Sequence, residues 1–147
     1  MRTILLVEDS RFLRLMNERA LTRAGYAVLT AADGEEALRM AGETPFDLVL
    51  LDMLLPKLGG PQVLRALRKN ALTASIPIIV LSSLPQSNES RLKQEGATAY
   101  FDKSTLGLHQ DPEALIKIVR SILGDSAVGA AKNQGKTQLA QLSKGGA

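Results

Sequence analysis

The sequence predicts an α/β fold built on a parallel sheet, and three observations carry that prediction. Five short apolar runs recur along the chain: Ile4–Val7, Ala27–Leu29, Leu48–Leu51, Ile78–Leu81 and Ala99–Phe101. They are continuous rather than alternating, as strands buried on both faces must be. Amphipathic segments of helical period separate them, and helix-capping residues stand at the junctions. The product is a doubly wound arrangement of five βα units, each of about 20 to 25 residues, with right-handed crossovers.

Each element has its own local signal. After the first run, Ser10 is placed to cap a helix, and Leu13, Met16, Ala20 and Leu21 form its apolar stripe. Arg14 and Glu18 stand four apart on its other side, the spacing of an ion pair. Gly25 follows as a cap for its end. Asp33-Gly34-Glu35-Glu36 opens the second helix with acids in its first turn. Pro61, after Gly60, is expected as the first residue of the third helix, where its missing N–H costs nothing. Asp111-Pro112-Glu113 starts the last helix, whose stripe is Leu115, Ile118, Val119 and Ile122. Ile116 and Leu123 fall outside that stripe and read as partial burial, with a docking or dimer face as the alternative. Gly124–Ala147, rich in Gly, Ala, Ser, Gln and Lys, has no apolar period and reads as a disordered tail or linker stub after a domain spanning 1–123.

Composition narrows the function. The chain has 147 residues, 45% of them hydrophobic, which suits one domain with a sizeable core. It has no cysteine, so disulfides, thiolate metal sites and cysteine nucleophiles are excluded together. The net charge of +3 comes mostly from the tail; residues 1–123 carry 15 basic and 14 acidic groups. No basic stripe of the kind that binds nucleic acid is present. No apolar stretch approaches the roughly 18 residues of a membrane span, and the start is too acidic for a targeting peptide. A soluble, cytoplasmic protein is expected, without direct nucleic-acid or membrane contact.

In an open α/β sheet, ligands sit outside the carboxyl ends of the strands. Glu8 and Asp9 follow the first run, Asp52 ends the third, Ser82 and Ser83 follow the fourth, and Asp102 and Lys103 follow the fifth. Brought together, such carboxylates repel one another unless a hard cation neutralises them. Mg²⁺ suits one or two carboxylates plus carbonyls and waters, and it favours a phosphate oxygen as a further ligand. One aspartate is then a nucleophile toward a phosphoryl group, with an ammonium and a hydroxyl to hold the phosphoryl oxygens. The turn Met53–Gly60 is expected to leave the Asp52 carboxylate exposed at the crevice. His109 lies in a polar loop and has no assigned role.

These segments resemble the receiver domains of two-component response regulators, in the stand-alone group of the chemotaxis receiver. The matching residues are the acidic pair of LLVEDS, LLDMLLPKLGG with Pro56 and Gly60 four and eight positions after Asp52, LSS after the fourth strand, and GATAYFDKS. The resemblance implies a flavodoxin-like sheet of order 2-1-3-4-5. It implies that Asp52 accepts a phosphoryl group from a histidine kinase or phosphotransfer protein. Asp9 and Asp52 would bind magnesium through carboxylates, Leu54 through its main-chain carbonyl and Glu8 through water. Lys103 would pair with Asp52, Ser82 would be the switch hydroxyl, and Tyr100 the aromatic that follows it. Output to a downstream protein would pass through the fourth helix, fifth strand and fifth helix, from a monomer or weak dimer. The module would assist its own phosphorylation and dephosphorylation without being a turnover enzyme. A relay intermediate and a phosphorylation-independent scaffold are the alternatives.

Two departures from the family pattern matter. Ser104 stands where the family usually has proline, which predicts a trans bond and a rearranged loop over Ser104–Asp111. Leu54 and Leu84 lie two positions after Asp52 and Ser82, where bulk hinders water and predicts a long-lived phosphoryl state. Leu54 also argues against an aspartyl phosphatase, which needs a second acid two residues after the first. Glu8-Asp9 argues against a flavin module, because it would repel a phosphate after the first strand.

Overall fold

A computed structural model of the chain describes residues 1–82, 89–102 and 112–125. Five strands alternate with five helices: β1 Thr3–Val7, α1 Arg11–Arg23, β2 Ala27–Ala31, α2 Gly34–Glu43, β3 Leu48–Asp52, α3 Gly60–Lys69, β4 Ile78–Ser82, α4 Glu89–Gln94, β5 Ala99–Asp102 and α5 Glu113–Leu123. All strand pairs are parallel, in the order β2-β1-β3-β4-β5. The expected fold class and strand order are both observed. Each strand is longer than its apolar run, and in β3, β4 and β5 the added residue is the polar one at the strand end. That continuation brings Asp52, Ser82 and Asp102 into the sheet itself.

The continuous runs are explained by the two layers. Leu5, Val7, Val49, Leu51, Ile78 and Val80 face one core with Ala37, Val63, Leu64 and Leu67 of α2 and α3. Their neighbours Ile4, Leu6, Leu48, Leu50, Ile79 and Leu81 face the other core with Leu21, Leu115 and Val119 of α1 and α5. A central strand with helices on both sides has no wet face, so it has no polar position until it ends. Each fully buried leucine or isoleucine contributes about 1.5–3 kcal/mol. β2, at the sheet edge, shows the opposite case and leaves Leu29 exposed.

The helix starts follow the capping logic. Ser10 Oγ accepts from Leu13 N at 3.3 Å, and Asp33 Oδ1 accepts from Glu36 N at 2.8 Å. Glu36 reaches back to accept from Ala32 N, one residue before that cap, and so ties the incoming chain to the first turn of α2. Gly25 adopts a left-handed φ of 104° after α1, as a terminating glycine does. α3 corrects the sequence reading by one residue. It begins at Gly60, so Pro61 is its second residue, and Gly59 is the cap whose N–H donates to Gln62 Oε1. Pro61 still lies in the first turn, where no N–H partner exists.

Two side-chain expectations on the helices also change. Arg14 and Glu18 form no ion pair, because Arg14 turns toward the β1–α1 junction. Ile116 is buried with Leu115 and Val119, whereas Ile118 and Ile122 are half-buried. The core stripe of α5 is therefore rotated by part of a turn from the one the sequence predicts.

At the opposite end of the sheet from the strand termini, Arg2 donates to the carbonyl of Leu123 and pairs with Asp125 at 3.1 Å. The Tyr26 hydroxyl donates to the other Asp125 oxygen at 3.1 Å. Burial, reinforced by the Asp125 charge, pushes the Tyr26 phenol from its ordinary 10 up to about 12. A raised tyrosine favours the protonated fold. Its contribution is complete below pH 10 and is lost as pH rises toward 12. Phenolate absorbance should show one tyrosine ionising only near pH 12, with stability falling over that interval. Tyr26→Phe should flatten the fall.

Candidate functional site

The site lies at the carboxyl ends of β1, β3 and β4. Asp52 is the last residue of β3, paired in register with Leu81 of the neighbouring β4. Glu8 follows β1 directly, and its N–H donates to the carbonyl of Ala31 on β2. The chain turns at Asp9, and Ser10 N donates to Glu8 Oε2 at 3.2 Å as it caps α1. One oxygen each from Glu8, Asp9 and Asp52 lies within 4.8 Å of the others. Glu8 and Asp52 are buried, whereas Asp9 is exposed.

The burial of Asp52 corrects the expectation of an exposed carboxylate, since only 4% of the residue is accessible. The turn after β3 does not open away from it. Met53 N donates to Leu81 O, and Gly60 N donates back to Met53 O, which folds the loop over the strand end. A side chain at Gly60 would strike the Met53 backbone and the Asp52 carbonyl, so only glycine permits this closure. Leu54 N donates to Asp52 Oδ1 at 3.3 Å, fixing the carboxylate's orientation.

Ser82 ends β4 and is fully buried, in register with Asp102 of β5. Tyr100, opposite Val80, is buried in the core shared with α2 and α3. Leu54 is exposed beside Asp52. Lys103, Ser83, Leu84, His109, the loop 104–111 and the segment 126–147 lie outside the described residues.

Arg14 is a site residue that spacing alone did not reveal. Its Nη1 donates to the carbonyl of Glu8 at 2.8 Å and to that of Asp9 at 3.3 Å. It thus holds the backbone of the acidic pair and sets a positive charge behind it. The only sequence signal is an arginine on the second turn of the helix that follows two acids.

The donor set suits a hard divalent cation. Two buried carboxylates and one exposed carboxylate converge, and an oxygen-only set of this kind selects magnesium or calcium over softer metals. Carboxylates brought this close repel when ionised, and such an ion would relieve that repulsion.

Comparison with known proteins agrees with this arrangement. The model of the response regulator receiver domain matches residues 4–120. PilH of Pseudomonas aeruginosa is 32% identical over 124 residues, covering 84% of this chain and 98% of PilH. The structure of the chemotaxis response regulator CheY4 of Vibrio cholerae superposes with a TM-score of 0.76 at 32% identity, over 83% of this chain and 98% of that one. The receiver domain of the sensor histidine kinase PA1611 of Pseudomonas aeruginosa, solved with a magnesium ion coordinated in its active-site cleft, gives a TM-score of 0.72 at 31% identity, over 84% of this chain and 98% of that one. Other curated relatives are longer, and the chain spans only 15% and 53% of two of them. Among the described residues, no helix is long and apolar enough to cross a membrane. With its five parallel strands, its acidic cluster at their ends and a family match over nearly all of the described fold, the chain belongs to the response regulator receiver domain family, the phosphoacceptor modules of two-component signalling.

Proposed function

We propose that Asp52 of this chain takes a phosphoryl group from the phosphohistidine of a kinase or phosphotransfer protein, in the cytoplasm, and that the modification switches a protein-binding surface. The observation that carries the reading is the convergence of Glu8, Asp9 and Asp52 at adjacent strand ends. Asp9 and Asp52 would hold Mg²⁺ through carboxylates, the Leu54 carbonyl would be a further ligand, and Glu8 would act through water. Magnesium, as bound by the PA1611 receiver domain, would supply charge neutralisation for the phosphoryl oxygens.

The chemistry of the chain's own groups is simple. An Asp52 oxygen attacks phosphorus as the phosphorus–nitrogen bond of the donor breaks, and the imidazole leaves with that electron pair. The hydrogen bond from Leu54 N orients the attacking carboxylate. Ser82, at the end of the adjacent strand, and Lys103, next in sequence after Asp102, would hold the phosphoryl oxygens as charge spreads over them. Tyr100 would report the change along β5 to the face formed by α4, β5 and α5. The chain would act as a switch, not as a turnover enzyme.

Incubation with labelled acetyl phosphate tests the reading. With magnesium, the protein should take up label in a hydroxylamine-sensitive bond; with EDTA it should take up almost none. Equal labelling under the two conditions would overturn the proposal. Decay of the label should be slow, because Leu54 and Leu84, two positions after Asp52 and Ser82, would hinder water. Polar residues at positions 54 and 84 should accelerate decay several-fold, as read by the loss of bound label with time.

A further inference from the structure

We propose that the first turn of α2 is the shelf that positions the β3–α3 loop for cation binding, with Gly34 and the Asp33–Lys57 pair as its positioning residues. The inference rests on the magnesium site proposed above. The loop 53–59 carries Leu54, yet it has no secondary structure of its own to hold it. Its tip is instead seated on a different element. The Leu58 carbonyl lies where a β-carbon of residue 34 would stand, and Leu58 Cβ and Val63 Cγ2 crowd the same space, each 2.8 Å from that position. Only glycine lets α2 come this close.

Charge fixes the same contact from the side. Lys57 Nζ lies 3.5 Å from Asp33 Oδ2, while Asp33 Oδ1 caps α2 through Glu36 N. One carboxylate therefore ties the helix end to the loop tip. Lys57 has a φ of 68°, the one non-glycine left-handed residue among those described. That conformation is uncommon for a lysine and reverses the chain so that Leu58 N meets Pro56 O at 2.7 Å. The loop is thus held at its tip by α2 and at its base by the Gly60–Met53 hydrogen bond. A main-chain ligand at position 54 needs this support, since it has no side-chain freedom with which to recover its place. Partners that orient metal ligands typically change affinity by about 10- to 100-fold when removed.

The test is a magnesium titration followed by backbone amide NMR on folded protein, with thermal midpoints measured in EDTA. Gly34→Ala should weaken magnesium binding roughly tenfold. Gly42→Ala, in the same helix with open space around its β-carbon, should leave affinity unchanged. Lys57→Gly tolerates the left-handed backbone but removes the ion pair. It should weaken binding about threefold with little change in midpoint, and it decides the matter if Gly34→Ala does not fold. Wild-type affinity in Lys57→Gly, and in Gly34→Ala where that variant folds, would overturn the shelf. Absence of magnesium binding by the wild-type protein at millimolar concentration would instead overturn the site reading on which the shelf rests.

Discussion

Asp52→Asn is expected to abolish phosphoryl uptake from acetyl phosphate while leaving the fold intact and, in EDTA, more stable. Asparagine keeps the shape and the acceptor oxygen that receives Leu54 N. Its amide is not a nucleophile toward phosphorus at neutral pH, so labelling should fall at least 100-fold, on the order of other losses of a covalent nucleophile. The stability change follows from electrostatics. Glu8, Asp9 and Asp52 present oxygens within 4.8 Å of one another, and two of these residues are buried. Like charges this close repel, most strongly between the two buried residues, where water screens them least. Removing one charge should raise the thermal midpoint in EDTA by a few degrees. Magnesium should then stabilise the variant less than it stabilises the wild-type protein, because a ligand has gone. Labelling of the variant at the wild-type level would remove Asp52 from the phosphoacceptor role. A lower midpoint in EDTA would show that the cluster is not a repulsive one.

Arg68→Ala is expected to be among the most destabilising single changes outside the apolar core, at about 3 kcal/mol. Arg68 has no carboxylate partner among the described ion pairs. Its guanidinium serves main-chain acceptors instead. Nε donates to Gly96 O at 2.8 Å, Nη1 donates to Ile76 O at 2.6 Å and to Ala74 O at 3.1 Å, and Nη2 reaches Thr98 Oγ1 at 3.4 Å. One side chain thereby joins the end of α3 to the turn before β4 and the turn before β5. Burial draws its pKa down, yet a guanidinium stays charged at any physiological pH. Truncation would leave several carbonyls without their donor at once. Arg68→Lys should recover less than half of the loss, because a point charge cannot reach acceptors spread around a planar fork. Urea unfolding of the three proteins would measure both effects, and a loss under 1 kcal/mol for the alanine variant would refute the account.

The fold was legible in the sequence because a strand covered on both faces has no place for a polar residue. Its apolar run therefore marks its position and comes within two residues of its bounds. Glu8, Asp9, Asp52 and Ser82 were visible for the same reason, as the first polar residues where those runs stop. Ser10 and Asp33 were visible because a cap bonds to a backbone N–H only three residues away, and local spacing suffices to find it.

What tertiary structure alone decided concerns long side chains and close approaches. Arg14 was expected to pair with Glu18 one turn along its helix, but it binds two carbonyls of the preceding turn. Arg68 gathers acceptors from residues as far as 30 positions away. Gly34 is required by Leu58, and Asp52 is buried by a loop closing through Gly60, contacts that no periodicity encodes. The division has one physical cause. Apolar pattern and capping are settled within a turn or a strand, whereas a flexible charged side chain goes to whichever unsatisfied carbonyls the finished fold brings within its reach.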